Sequence, residues 1–186
     1  MQDWKQLYDD KPAARGGYSA AAMDHFMNPR NVGVLEDPDG VGSFGDPSCG
    51  DFLELTLRLE GETIADIKFR VHGCPGAIST SSALTCMVKG KTLPYALNMT
   101  DDDVVGHLGG IPENKKHCSL LGVQALRAAV ADAILMRTLV DHGVVKSKAD
   151  YRAMQQSQAS CSTLEHSCDG SCGFPAPETG GNQEQA

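Results

Sequence analysis

The chain has 186 residues, of which 41% are hydrophobic and 22% charged, and its formal net charge is −8 at pH 7. These values are typical of a soluble globular protein with one domain and room for an appendage. The acidic balance argues against a general nucleic-acid surface, and no apolar run approaches the roughly 18 residues of a membrane span. The N-terminus is acidic and has no apolar segment, so we expect neither a secretory signal nor an organelle presequence.

Seven cysteines lie at positions 49, 74, 86, 118, 161, 168 and 172. We expect a cytoplasmic protein, in which thiols stay reduced. A disulfide framework is therefore not expected, and the odd number of cysteines argues further against it.

In chain order, residues 1–17 form a polar, flexible lead-in to a short predicted helix from Tyr18 to Met27, capped by Ser19. The next segment, 28–50, is rich in Gly, Pro, Asp and Asn and predicts a long loop with a short strand near Val41 to Phe44. Leucines then alternate with polar residues from Leu53 to Leu59, which is the period of a strand with one buried face.

A second alternating segment, Ile67 to Val71, follows the turn at Glu60-Gly61-Glu62 and predicts the returning strand of a hairpin. Helices are predicted afterwards over 77–89, 92–98, 101–107 and 119–141. Strands followed by helices indicate an α+β fold, in which a small antiparallel sheet of about three strands is covered on one face by helices.

The predicted globular domain covers 18–145. Residues 146–186 contain few large apolar side chains among many Ser, Gln, Gly and Pro, so we expect a flexible, disordered C-terminal tail. Its cysteines Cys161, Cys168 and Cys172 are candidate auxiliary thiols, but no apolar cluster near them would shield a metal.

The sequence Lys115-Lys116-His117-Cys118 directly precedes the longest helical pattern of the chain. If Ser119 is the N-cap, the imidazole and the thiol lie just before or at the first turn. A helix N-terminus favours a thiolate over a thiol, and two neighbouring lysines act in the same direction. Such a cysteine is either a nucleophile or a metal ligand.

Two more cysteines flank the hairpin, Cys49 before its first strand and Cys74 after its second. Because the strands are antiparallel, these positions lie at the same end of the sheet. If the long helix packs with its N-terminus toward that end, Cys118 joins them together with Asp51 and His117. Three thiols, a carboxylate and an imidazole would then surround one small volume.

Cys86 differs from these three because it lies within a predicted helix among apolar residues. We expect it to be a buried small hydrophobe and not a ligand. Asp51, taken alone, could be no more than a turn residue.

Five motifs occur in order between roughly residues 18 and 142. They are Asn28-Pro29-Arg30-Asn31-Val32-Gly33, Cys49-Gly50-Asp51, Gly73-Cys74 with a Ser-rich helix start, Lys89-Gly90-Lys91-Thr92-Leu93 and Lys115-Lys116-His117-Cys118-Ser119. Together they resemble the iron–sulfur cluster assembly scaffold of the IscU/NifU type. The chain is similar to the branch without a long insertion between the second and third cysteines.

The resemblance implies a scaffold without turnover of its own, on which a 2Fe–2S cluster is assembled and then passed on. The cluster or metal ligands that it implies are Cys49, Asp51, Cys74, His117 and Cys118. It also implies a supporting role for Lys115 and places Tyr18 at the tyrosine that begins the family's first helix. We expect Cys118 to accept the sulfur, since the helix terminus and the neighbouring lysines favour its thiolate.

The partners that the resemblance implies are a pyridoxal-phosphate cysteine desulfurase, apo iron–sulfur proteins, and iron- or electron-donor proteins. The family's chaperone-recognition segment, Leu-Pro-Pro-Val-Lys, reads Ile111-Pro112-Glu113-Asn114-Lys115 here, which argues against a dedicated Hsp70-type chaperone. Neither nucleic acid nor a membrane is expected as a partner.

Two other functions remain open. The same ligands suit a zinc-binding structural or regulatory module, and zinc can occupy them in a purified sample. A thiol enzyme would use Cys118 as nucleophile and His117 as base, although adjacent residues rarely point their side chains at each other as such a pair requires. An oxygen ligand from Asp51 would make a cluster easier to release, which suits a carrier.

Overall fold

The computed structural model of the chain describes residues 17–46 and 50–162, without the side chains of residue 46 and residues 158–162. The strands are β1 (Gly40–Asp46), β2 (Asp51–Glu60) and β3 (Thr63–His72). The helices are α1 (Ala20–Met27), α2 (Pro75–Val88), α3 (Leu93–Leu97), α4 (Asp101–His107), α5 (His117–Asp141) and α6 (Lys148–Ser162), with a 3₁₀ turn over Glu113–Lys115. The chain divides into two compact units between Val144 and Val145, and α6 lies in the second.

The sheet is antiparallel in the order β1-β2-β3, which confirms the predicted hairpin and fold class. Leu55 pairs with Gly42 on one side and Phe69 on the other. Leu53, Leu55 and Leu57 are fully buried, so the alternating leucines face the core as their period predicts.

Helix α5 packs against β1 at unusually close range because β1 contributes glycines to the contact. A Cβ on Gly42 would lie 2.2 Å from the Ala129 nitrogen and 2.3 Å from the Ala125 oxygen. A Cβ on Gly40 would lie 2.1 Å from the Ala129 oxygen and 2.9 Å from the Ala133 side chain. The helix therefore runs opposite to β1, and its N-terminus points toward the end of the sheet where β1 stops and β2 begins.

The motif Asn28–Gly33 holds the loop after α1 against both α2 and the sheet. The Arg30 backbone N–H donates to Ser82 Oγ at 2.9 Å. Asn31 adopts a left-handed conformation (φ 61°), and its carbonyl accepts from the Phe69 N–H at 2.9 Å. This motif thus covers the outer edge of β3, where an unpaired strand would otherwise be exposed.

Of the two predicted N-caps, Ser19 is confirmed and Ser119 is wrong. Ser19 Oγ accepts from the Ala22 N–H at 3.0 Å, and Thr100 forms a capping box with Asp103. Ser119 does not cap α5. The 3₁₀ turn leads directly into the helix, so the N-cap is Lys116, whose backbone is already helical.

Helix α6 lies within the segment for which a flexible tail was expected. Ser147 and Asp150 cap its start reciprocally, with the hydroxyl 3.0 Å from the carboxylate and the Asp150 N–H 3.2 Å from the hydroxyl. The prediction rested on the scarcity of large apolar side chains among many polar residues, whereas Lys, Ala, Met and Gln favour a helix even without a large buried face. The remainder of the predicted tail, 163–186, lies outside the described residues.

Helix α5 and the turn before it also have the length and apolar content of a membrane-spanning helix. Eleven α5 residues are nevertheless buried, among them Leu121, Leu126 and Val130 in the hydrophobic core. The apolar character of this helix is accounted for by its place at the centre of the fold.

Candidate functional site

Four of the predicted site residues meet at one end of the sheet. Asp51 is the first residue of β2, and Cys74 is the N-cap of α2, two positions after β3 ends. His117 and Cys118 form the start of α5, whose N-terminus points to the same end. The structure thus brings together a carboxylate, two thiols and an imidazole from three separate segments.

The distances within this group are those expected of side chains that share one metal. The sulfurs of Cys74 and Cys118 are 3.4 Å apart, and Cys118 Sγ lies 3.7 Å from Asp51 Oδ2. One ligand atom each of Asp51, His117 and Cys118 lies within 4.8 Å of the other two. Two thiolates bound tetrahedrally at about 2.3 Å from a metal would be separated by about 3.8 Å, so little rearrangement is needed.

The group is enclosed on one side and open on the other. Cys118 is 1% exposed and Asp51 6%, whereas Cys74 is half-buried and His117 is exposed. Asp51 Oδ1 also accepts from the Cys74 backbone N–H at 3.3 Å, which ties the Cys74 loop to the start of β2. A metal could therefore enter on the side of His117 while the other ligands are held from within.

Two glycines beside Cys74 leave the space that this arrangement requires. A Cβ on Gly73 would lie 2.9 Å from Asp51 Cγ. A Cβ on Gly76 would lie 3.4 Å from each of the two sulfurs, between them and Tyr18. Sequence reasoning did not assign these glycines a role in the site, although their positions on either side of Cys74-Pro75 could have suggested a close backbone approach.

Tyr18 is a further neighbour of the site that sequence reasoning noted only as a family match. Burial, together with the charges of Cys74 and Cys118, raises the pKa of Tyr18 to about 12. The hydroxyl therefore stays protonated at neutral pH, and Tyr18 forms a neutral wall of the site.

The sequence predicted that the surroundings of Cys118 favour its thiolate, but in the structure they favour the neutral thiol. Burial raises the pKa of Cys118, and the neighbouring Cys74 and Asp51 act in the same direction. Lys116 Nζ pairs with Glu113 at 3.0 Å, and Lys115 lies half-buried in the 3₁₀ turn. Because a bound metal cation would compensate the anionic charges, the group is better suited to a cation than to a free thiolate.

Cys86 is exposed, so the expectation that it is a buried hydrophobe is wrong. Helix α2 buries Leu84, Thr85 and Val88 and turns position 86 outward, where its sulfur lies 3.8 Å from Asn31 Nδ2. It does not belong to the group of potential metal ligands found among the described residues.

The remaining predicted site cysteines cannot be compared with this geometry. Cys49 falls in the segment 47–49 and lies outside the described residues, as do Cys168 and Cys172. The backbone of Cys161 belongs to α6, but its side chain is outside the description.

In the folded, metal-free protein, we expect maleimide to alkylate Cys74 and Cys86 faster than Cys118, by about an order of magnitude or more. The reason is that Cys118 is almost fully buried and its pKa is raised. Peptide mass spectrometry over a time course measures the three rates, and the unfolded chain, in which they should converge, is the control. Fastest labelling at Cys118 would contradict this description and favour a nucleophilic thiol.

Comparison with known proteins agrees with the predicted family and fold. The model of the family described as "NifU-like N terminal domain" matches residues 17–139. The chain is 47% identical over 126 residues to the iron-sulfur cluster assembly scaffold protein IscU of Aquifex aeolicus, covering 67% of this chain and 80% of that protein. It is 51% identical over 115 residues to the scaffold protein IscU 1 of Archaeoglobus fulgidus, covering 62% and 75%.

A crystal structure with the same fold is that of the N-terminal part of a nitrogen-fixing NifU-like protein from Brucella abortus. The TM-score is 0.51 at 19% identity, and the alignment covers 62% of this chain and 92% of that one. This likeness supports the architecture of the sheet and its helices.

Proposed function

Since the chain belongs to the family of NifU-like N-terminal domains, we propose that it is a scaffold on which an iron–sulfur cluster is assembled and from which it is passed on. The observation that carries this proposal is the convergence of Asp51, Cys74, His117 and Cys118 at one end of the sheet. Thiolates are the usual ligands of iron–sulfur clusters, and an imidazole or carboxylate completes a mixed ligand set.

In this proposal iron and sulfur are the substrates and a 2Fe–2S cluster is the cargo. Cys74 and Cys118 supply thiolates, Cys49 supplies the third, and Asp51 and His117 are the exchangeable ligands. Lys115, in the turn before α5, supports the site by its positive charge. The protein carries the cluster without catalytic turnover, and its reduced thiols suit a cytoplasmic location.

The sulfur source in this proposal is a cysteine desulfurase, and Cys118 is the acceptor. Since Cys118 is 1% exposed, docking of the desulfurase must displace the first turn of α5 or the Cys74 loop. A short 3₁₀ segment, Glu113–Lys115, leads into α5, and the Lys116–Glu113 pair at this point is exposed, so we expect this opening to cost little. Apo iron–sulfur proteins are the proposed recipients, and iron- and electron-donor proteins the further partners.

A zinc-binding structural or regulatory module is the alternative function, because the same mixed ligand set binds zinc. The two functions differ in what the loaded protein does. The test is to incubate the cluster-loaded chain with an apo-ferredoxin under anaerobic conditions and follow ferredoxin reconstitution. A scaffold transfers its cluster faster than free iron and sulfide reconstitute the same ferredoxin, whereas no such advantage is expected of a zinc module.

Asp51→Ala should hold its cluster longer than the natural chain, because the oxygen contact proposed to promote exchange is lost. Asp51→Asn separates this effect from the loss of the hydrogen bond to the Cys74 N–H, since its amide oxygen can still accept that bond. The lifetime of the visible cluster absorption on exposure to a chelator is measured for all three chains. We expect both variants to lengthen it by several-fold, and a shorter lifetime in Asp51→Asn would refute the proposed role in release.

A further inference from the structure

The two thiols at the site are close enough to react with each other. Their sulfurs are 3.4 Å apart, and Cys118 contacts no other described cysteine, since the Cys86 sulfur instead lies beside Asn31. We propose that Cys74 is a resolving thiol that releases the sulfur carried on Cys118 as sulfide. This inference rests on the proposed role of Cys118 as sulfur acceptor.

The proposed step supplies the electrons that the transferred sulfur needs. A persulfide on Cys118 carries sulfur at the oxidation level of the element, while a cluster contains sulfide. The Cys74 thiol attacks Cys118 Sγ, the S–S bond of the persulfide breaks, and a Cys74–Cys118 disulfide forms. The outer sulfur leaves as hydrogen sulfide with the proton of the Cys74 thiol, having gained two electrons from the cysteine pair. A dithiol reductant then reduces the disulfide and restores both ligands.

The local structure allows the two sulfurs to approach each other. Bond formation requires the separation to fall from 3.4 Å to about 2.05 Å. Gly76 faces both sulfurs without a side chain, and Cys74 lies in a loop between β3 and α2 with Gly73 before it. No described side chain therefore has to leave the space between the thiols. Because both thiols belong to one chain, the attack is intramolecular and outpaces attack by dilute thiols in solution.

The step also places sulfide where it is needed. Asp51 and His117 lie within the same ligand group, so hydrogen sulfide is released beside residues that can hold iron. Reduction of the disulfide is then the event that returns Cys74 and Cys118 to the metal as thiolates.

The test uses the full chain, metal-free and anaerobic, with a chelator present. The chain is charged with cysteine and a cysteine desulfurase, the desulfurase is removed, and persulfide, sulfide and disulfide are followed in time by mass spectrometry and bromobimane trapping. The natural chain is compared with Cys74→Ser and with the matched control Cys86→Ser, after circular dichroism and thermal melting have shown that each is folded.

In the natural chain and in Cys86→Ser, we expect the Cys118 persulfide to decay with matching release of sulfide and appearance of the Cys74–Cys118 linked peptide. In Cys74→Ser the persulfide should persist, with sulfide release slowed by about tenfold or more, because the thiol that lies 3.4 Å from Cys118 is gone. Equal decay in all three chains, or a linked peptide between Cys49 and Cys118, would overturn the inference. Absence of persulfide on Cys118 in every chain would instead remove Cys118 as the acceptor, leaving the scaffold function itself to be tested separately.

Discussion

Cys74→Ser and Cys118→Ser should each abolish stable cluster assembly while leaving the fold in place. Each sulfur lies within 3.4 Å of the other, and no other described cysteine lies in the ligand group to replace it. Changes outside the first coordination shell already lower metal affinity by about 10–100-fold, so loss of a direct thiolate should have a larger effect. The measurement is the iron and sulfide retained per chain after anaerobic reconstitution and gel filtration.

Cys86→Ser is the matched control because the same substitution is made in the same protein away from the ligand group. Its thiol is exposed on α2, and we expect it to retain as much iron and sulfide as the natural chain. If Cys86→Ser loses the cluster while Cys74→Ser keeps it, the ligands have been assigned to the wrong cysteines.

Gly42→Ala should destabilise the protein strongly. Among the described glycines, only Gly40 is expected to tolerate an added methyl group as poorly. The new Cβ would lie 2.2 Å and 2.3 Å from backbone atoms of Ala129 and Ala125, which cannot rotate away as a side chain can. Helix α5 and β1 must then separate, and we expect the free energy of unfolding to fall by about 3 kcal/mol. For a domain of this size that corresponds to a decrease in Tm of about 10 °C.

Gly106→Ala is the control for the change of residue type. Gly106 lies in α4, and a Cβ there would meet no atom within 4 Å. The same substitution should therefore be neutral or stabilise the fold by up to about 1 kcal/mol, since alanine favours a helix more than glycine does. Thermal denaturation of both variants compares the two. If Gly42→Ala has the same Tm as Gly106→Ala, the close packing of α5 on β1 is not as described.

Local patterns in the sequence were sufficient for the sheet and for much of the site. The alternation from Leu53 to Leu59 has the period of a strand, and antiparallel pairing then requires Asp51 and Cys74 to lie at one end. The position of Cys118 depended on the direction in which α5 crosses the sheet, and the sequence alone did not determine that direction. The contacts of Gly42 with α5 decide it in favour of the predicted arrangement.

Features that depend on contacts between distant segments could not be read in this way. The burial of Cys118 results from the packing of α5 against β2 and α2, and it reverses the expected direction of the pKa shift. The roles of Gly73 and Gly76 depend on which atoms approach them from Asp51, Cys74 and Cys118. The residue pattern within a single segment does not contain information on distances between atoms of different segments.

The most direct test of the scaffold proposal is anaerobic reconstitution of the intact chain. Metal-free protein is incubated with ferrous iron, cysteine and a cysteine desulfurase, and its visible absorption and Mössbauer spectra are recorded together with bound iron and sulfide. The proposal predicts desulfurase-dependent charge-transfer absorption, a 2Fe–2S Mössbauer signature, and iron and sulfide in equal amounts on the chain. Binding of zinc or iron with no sulfide and no visible chromophore, in protein shown to be folded, would contradict it.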